Sequence, residues 1–289
     1  MSIKQTYWHK LVTNIAATLL DAKAREIAAL DAEILLAHAL DVSRAYLYAF
    51  PEQELTASQA QTIENLFAKK QAGMPVAYLT QQKEFWSLRL TVSPATLIPR
   101  PETEMLVEFI LEKLPSTLMH VADLGTGSGA IALAIANERP EWQVYASDQS
   151  TAALAVAQLN SANLNINNII WLTGDWCNAL GNDLTNQLDA IISNPPYIAA
   201  NDPHLLQPEL TYEPQSALIA AEAGLKDLRL IITSAQNYLR PGGYLLLEHG
   251  YDQAKAVQKL LLENGYEAIT TLTDLSNQDR VTVAKKPTT

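Results

Sequence analysis

From residue 119 onward the sequence alternates short apolar runs with helix-length stretches, and few folds satisfy that rhythm. The runs are MHVADL (119–124), QVYASD (143–148), NIIWL (168–172), LDAIIS (188–193) and GYLLLE (243–248), with helices of about ten to fourteen residues between most of them. Near-continuous apolar strands joined by helical crossovers predict a parallel sheet covered on both faces. Two further runs, GYEAITTLTD (265–274) and DRVTVAKK (279–286), alternate apolar with polar residues and are expected to pair antiparallel at one sheet edge.

The chain ahead of this region reads differently. In REIAALDAEILLAHAL (25–40), Ile27, Leu30, Ile34 and Leu35 fall at i, i+3, i+7 and i+8, one face of a helix. Thr56 with Gln59 forms a capping box opening a helix over 57–70, which Gly73 and Pro75 end. With no alternating β-branched run before residue 76, residues 1–75 are expected to form a small helical domain. Residues 76–115 read as a connector. Alternation over Phe85–Val92 suggests a short hairpin, and three prolines (Pro94, Pro99, Pro101) stiffen the chain between it and a helix that Glu102 and Glu104 open and that runs to about 114. The catalytic domain is expected over 116–289.

Composition narrows the function classes. Apolar residues make up 48% of the 289, enough for a full core, and no 18-residue uncharged apolar run suggests a membrane span. With no basic-then-apolar leader pattern and a single cysteine, Cys177, a cytoplasmic location is expected. Five scattered histidines lack metal-ligand spacing, so no metal is expected. The net charge is −11, and residues 1–75 hold 7 basic and 8 acidic residues, so the acidity lies in the remainder. That balance argues against a duplex-DNA partner, which needs a basic face to neutralise phosphates, and suits a protein or small molecule better.

Two stretches carry chemistry. In VADLGTGSGAIALAIANERP (121–140), Gly125, Gly127 and Gly129 stand where a strand must turn into a helix, with Thr126 and Ser128 between them. Such a turn lets backbone approach a ligand and offers N–H groups at a helix N-terminus. Asp148 ends the second strand, nineteen residues beyond Gly129, in place to accept hydrogen bonds from a ribose. A nucleoside ligand is expected. In IISNPPYIAA (191–200), a core strand stops on Asn194-Pro195-Pro196-Tyr197, where open α/β sheets place their ligands. The Asn194 carbonyl and a proline-stiffened backbone carbonyl offer two fixed acceptors for one NH₂ group, and Tyr197 a flat wall against a planar amide or base. That is catalysis by orientation and preorganisation.

The form Asp-Leu-Gly-x-Gly-x-Gly resembles motif I of the S-adenosylmethionine-dependent methyltransferases, and NPPY resembles the motif of amino-methyltransferases acting on adenine or on glutamine amides. PVAYLT (75–80), EFWSLRLTVSPATLIPRPETEMLVE (84–108), GDW (174–176), EPQSAL (213–218) and LRPGGYLLLEHG (239–250) stand in order around these two. Together they resemble the release factor glutamine methyltransferases, the HemK/PrmC family, over nearly the whole chain. The resemblance implies a Rossmann-like methyltransferase domain behind a helical domain that helps hold the substrate. It implies methyl transfer from S-adenosyl-L-methionine to the side-chain amide of the glutamine in the Gly-Gly-Gln motif of class I peptide chain release factors. Carried onto this sequence, Gly125, Thr126, Gly127, Ser128, Gly129, Asp148 and Asn194 hold the cofactor, Trp176 (beside Asp175) flanks its adenine, and Asn194, Pro195, Pro196 and Tyr197 hold the glutamine. Arg100, Glu102 and Thr103 have no assigned chemistry and are equally a structural connector; His249, tempting as a base, reads as a structural sheet-end residue, and Glu213 as shaping the loop beyond Tyr197. A ribosomal-protein glutamine methyltransferase, a DNA adenine methyltransferase and a non-enzymatic scaffold with the same cofactor fold are the competing readings. A scaffold would be expected to have lost the glycine turn, Asp148 or Asn194, and all are present. Gln81 stands where the family commonly has glycine, and Ala223 where an acid is common.

Overall fold

The structure, a computed structural model, describes residues 13–288; residues 1–12 of the expected helical domain lie outside them. The chain divides into two compact units, the first ending in sequence at Gln81 and the second beginning at Gln82.

The first unit is helical: α1 (Ile15–Ala24), α2 (Ala29–Leu40), α3 (Arg44–Ala49), α4 (Ala57–Gln71) and α5 (Val76–Thr80). The Thr56–Gln59 capping box forms as expected, with each side chain accepting from the other's backbone N–H. Ile15, Leu35, Leu36, Leu47, Ile63 and Phe67 build its core. α2 turns a different face inward than its apolar spacing suggests. Ala32, Leu35 and Leu36 are buried, Leu30 is 52% exposed, and Ile34 is only half-buried. Ile27 precedes the helix, beyond Glu26 at a φ of 61°, so its phase does not continue into α2.

The second unit opens with an antiparallel hairpin, β1 (Gln82–Phe85) and β2 (Leu88–Thr91), turned by Trp86 and Ser87, both at positive φ as a two-residue loop between twisted strands requires. The hairpin is part of this unit, since Phe85 and Leu90 are buried in its core. α6 (Glu104–Lys113) comes next, and then β3 (His120–Leu124), α7 (Ala130–Glu138), β4 (Gln143–Asp148), α8 (Thr151–Leu164), β5 (Ile169–Thr173) and β6 (Leu188–Ser193). A two-residue parallel pair, β7 (Ile198–Ala199) with β8 (Ile219–Ala220), precedes α9 (Lys226–Ala235), β9 (Leu239–Glu248), α10 (Ala254–Glu263), β10 (Glu267–Thr273) and β11 (Asp279–Lys285).

Seven strands form one sheet in the order β10-β11-β9-β6-β3-β4-β5. β9, β6, β3, β4 and β5 are parallel neighbours, and the tail hairpin supplies the antiparallel edge. Side chains alternate across it. Val121, Ala190, Ile192 and Leu246 face the layer with α6 and α7, while Ala122, Leu124, Ile191, Leu245 and Leu247 face α9 and α10. The expected methyltransferase architecture, a mostly parallel sheet with an antiparallel edge behind a helical domain, is borne out. No helix among the described residues is long and apolar enough to cross a membrane.

Candidate active site

Strand register delivers four chain segments to one sheet edge. Leu124 pairs with Ser147 on one side and Ser193 on the other, and Asp148 pairs with Thr173. Gly125, Gly174 and Asn194 therefore leave the sheet beside Asp148. β4 and β5 step away from β3 in one direction and β6 lies on its other side, so the strand order reverses between β3 and β6. Ligands of open α/β sheets bind at such a reversal. A cleft of about 270 Å³ opens there. Gly125, Gly127, Asp148, Asp175, Trp176, Asn194 and Pro196 line it, with Thr96 and Leu97 from the connector and Pro214 and Ser216 from the loop before β8.

The glycine turn is tied to the end of β4. Gly125 and Thr126 donate to the Ser147 carbonyl at 2.8 and 2.9 Å, and Gly127 donates to Asp148 Oδ2 at 2.9 Å. Gly125 and Gly127 hold φ of 74° and 57°. A Cβ on Gly127 would meet nothing within 4 Å, whereas one on Gly125 would lie 2.9 Å from the Trp176 ring. The turn thus presents bare backbone to the cleft while the N–H groups of Gly125, Thr126, Gly127 and Gly129 are engaged within the protein. That suits a ligand laid against the chain better than a phosphate cradled by free amides.

Thr126, Ser128 and Gly129, expected at the cofactor, do not line the cleft. Alternate residues of so tight a turn point opposite ways. Thr126 donates its hydroxyl inward to Asp123 Oδ2 at 2.6 Å, Ser128 is buried, and Gly129 gives close approach to Leu133 and Ala157. Asp123 Oδ2 also accepts the Ala132 N–H at 3.1 Å, so this acid fastens the turn to α7.

Burial pushes the Asp123 carboxyl up to about 7. The folded state holds this proton at pH values where the unfolded chain has released it. Asp123 therefore contributes stability below about pH 4, lost progressively as pH rises to about 7, by an amount on the order of a few kcal/mol. Urea midpoints across that range should fall more gently for Asp123→Asn than for the unmutated chain; parallel slopes would contradict the assignment.

Asp148 accepts Gly127 N–H on one oxygen and Ser150 N–H, at 2.8 Å, on the other. Both bonds come from backbone, so the carboxylate is fixed with lone pairs left to accept further donors. Trp176, at a φ of 47°, lies against Gly125, which sets the aromatic face beside Asp175.

At the end of β6, Ser193 Oγ donates to the Leu124 carbonyl at 2.7 Å, and the chain turns through Asn194, half-buried, and two buried prolines. Asn194 Nδ2 donates to Thr103 Oγ1 at 3.1 Å, and Thr103 donates to the buried Glu248 at 2.7 Å. Among the described residues nothing donates to Asn194 Oδ1 or to the Pro195 carbonyl. These are the two acceptors expected from the sequence. Neither Pro195 nor Tyr197 is among the cleft's lining residues, and the Tyr197 ring packs against the α9/α10 layer. Its hydroxyl donates to Glu248 at 3.2 Å and its carbonyl accepts from Gln253 at 3.0 Å. These two bonds tie the motif to the end of β9 and to Gln253, just ahead of α10.

The unassigned residues also find places. Glu213, buried, accepts from the Arg100 guanidinium and, at 3.0 Å, from Ile98 N–H, clamping the connector over the cleft. His249 is fully buried between the Gly250 carbonyl and the Thr282 hydroxyl, and burial lowers its pKa. Because a carbonyl only accepts, Nδ1 carries the proton and Nε2 accepts from Thr282. His249 is structural. Thr103 and Glu248 are the residues that sequence reasoning left without a role; only the LIPRPETE and LEHG segments around them carried a signal.

The PrmC N-terminal domain model matches residues 11–80 and the methyltransferase small domain model residues 102–211. Over 270 residues, 93% of this chain and 97% of the relative, it is 49% identical to the release factor glutamine methyltransferase of Xylella fastidiosa (strain 9a5c). The chain belongs to the release factor glutamine methyltransferases. It is 49% identical to the family member of Coxiella burnetii over 89% of this chain and 91% of that one, and 46% identical to that of Escherichia coli K12 over 88% and 91%. A crystal structure of a methyltransferase from Pyrococcus furiosus superposes with a TM-score of 0.52, at 17% identity, over 69% of this chain and 89% of that one, a likeness of fold.

Proposed function

We propose that this chain methylates the side-chain amide nitrogen of the glutamine in the Gly-Gly-Gln motif of class I release factors, with S-adenosyl-L-methionine as donor. The observation that carries this reading is the pair of unengaged acceptors, Asn194 Oδ1 and the Pro195 carbonyl, at the strand-order reversal of a chain that belongs to this family. A primary amide has two N–H groups to give and a lone pair delocalised into its carbonyl. Two fixed acceptors bind those N–H groups, bias electron density toward nitrogen and set its orientation without a general base.

The cleft's residues fit the donor. Asp148 would take the ribose, Asp175 and Trp176 the adenine end, and the exposed backbone of Gly125 and Gly127 the amino-acid end. When bound, that cofactor supplies a sulfonium-activated methyl group. Asp148→Ala should raise the cofactor KM by ~10- to 100-fold while kcat at saturation changes far less. An unchanged KM would remove Asp148 from the cofactor site.

The helical unit is the release-factor holder in this reading, supported by its match to the family's N-terminal domain and by its exposed Tyr48 and Phe50. A release-factor substrate places the protein in the cytoplasm, and the acidity of the catalytic unit favours this partner over nucleic acid. Tandem mass spectrometry of a release factor incubated with the enzyme and donor should place one methyl group on the Gly-Gly-Gln glutamine. Modification elsewhere would reject the substrate assignment.

A further inference from the structure

Asn194 can serve as an acceptor only if its carboxamide is held the right way round, since a turn of 180° would put its NH₂ in the cleft. We propose that Thr103 and Glu248 are positioning residues that set this orientation, through a hydrogen-bond relay whose direction is dictated by the buried carboxylate. The inference rests on the glutamine-amide reading of the site and names the groups that make it work.

The geometry fixes the direction step by step. An ionised carboxylate only accepts, so Thr103, with Oγ1 2.7 Å from Glu248 Oε2, donates its single hydroxyl proton there. The Thr103 oxygen is then left with lone pairs alone, and the Asn194 atom 3.1 Å away must be the amide nitrogen. Asn194 Oδ1 is thereby turned to the cleft. Tyr197 donates to the second Glu248 oxygen at 3.2 Å, so both oxygens are held and the carboxylate cannot rotate away. Glu248 and Thr103 are 1% and 4% exposed, which keeps water from offering a competing partner. The relay joins the PRPETE connector, the NPPY motif and the end of β9.

The charged and titratable groups facing Glu248 are Glu102, which opposes its ionisation, and Arg280, which favours it, together with the hydroxyls of Thr103 and Tyr197. Burial outweighs the favourable contacts and lifts the carboxyl to about 7. A protonated Glu248 can donate to Thr103, which frees the Thr103 hydroxyl to donate to Asn194 Oδ1, and the amide loses its fixed sense. Amide methylation is therefore expected to fall as pH drops through this range, with cofactor binding unaffected.

The test compares Thr103→Val, Thr103→Ser and Glu248→Gln with the unmutated enzyme in single-turnover methylation of a purified release factor, alongside direct binding of S-adenosylmethionine. Thr103→Val should lower kcat by ~10- to 100-fold with cofactor affinity within about threefold. Thr103→Ser, which keeps the hydroxyl, should recover most of that loss. Glu248→Gln should be slow and should lack the acid limb that the unmutated enzyme shows between about pH 6 and 8. The relay is overturned by a Thr103→Val enzyme of normal rate, by a Thr103→Ser enzyme as slow as Thr103→Val, by loss of cofactor binding in Thr103→Val, or by parallel pH profiles. An unmutated enzyme that labels no release factor would instead reject the underlying reading of the site.

Discussion

Asn194→Ala should lower kcat by ~10²- to 10³-fold, the scale on which removal of one preorganised hydrogen-bonding group acts in other active sites. Its carboxamide is one of two acceptors for the substrate's NH₂ group, and the Pro195 carbonyl alone leaves the amide free to swing. Because Asn194 also borders the cofactor cleft, a small rise in cofactor Kd is expected, well short of the rate effect. Asn194→Asp should fail to rescue. It keeps an acceptor but leaves Thr103 facing two carboxylates with one proton to give. Single-turnover rates at saturating donor, with donor affinity measured separately, check this; a rate within about threefold of normal in Asn194→Ala would remove Asn194 from the chemistry.

Gly224→Ala tests the support behind the motif. Gly224 has a φ of 87° and comes after Glu222 and Ala223, both at 54°, in a left-handed turn. A Cβ there would lie 2.1 Å from the Tyr197 carbonyl oxygen and 2.5 Å from Gln253 Nε2. The first clash is with backbone, so no rotamer change relieves it. The left-handed conformation costs an alanine about 1–2 kcal/mol and the overpacking about 1–3 more. Thermal unfolding should drop by roughly 5–15 °C. The same displacement moves the Asn194–Tyr197 turn, so methylation should fall by ~10-fold or more even below the transition temperature. Normal stability with normal rate would show that the turn does not brace the motif.

Much of this arrangement is legible in the sequence for identifiable reasons. The five parallel strands lie within a few residues of the apolar runs because a strand buried on both faces must be apolar throughout. The capping box at Thr56 is local chemistry, as are the acids opening α6, whereas the hairpin expected over Phe85–Val92 starts at Gln82 and turns at Trp86-Ser87. β9 starts four residues before its apolar run, at Leu239, because the Arg240–Gly243 stretch joins the strand through a register shift against β6. The α2 face was misleading because Ile27 sits before the helix and does not share its phase.

Within the site, spacing located Gly125, Gly127, Asp148, Trp176 and Asn194 because each lies just beyond or at a strand end. Direction was harder. Nothing in GTGSG states that Thr126 and Ser128 point inward, and nothing in NPPY states that the Tyr197 ring turns to the core. Thr103 and Glu248 are 145 residues apart and become partners only through the sheet order. Pairings of that range depend on topology and leave no periodic trace.

The most direct measurement is methyl transfer from labelled S-adenosylmethionine to a purified class I release factor. Its Gln→Ala variant in the Gly-Gly-Gln motif, a large-subunit ribosomal protein and duplex DNA serve as the alternative acceptors. Label on the unmutated release factor alone is the predicted result and would establish the Asn194–Pro195 pair as a glutamine-amide clamp. Label that persists on the Gln→Ala variant, or that goes to ribosomal protein or DNA instead, would contradict it.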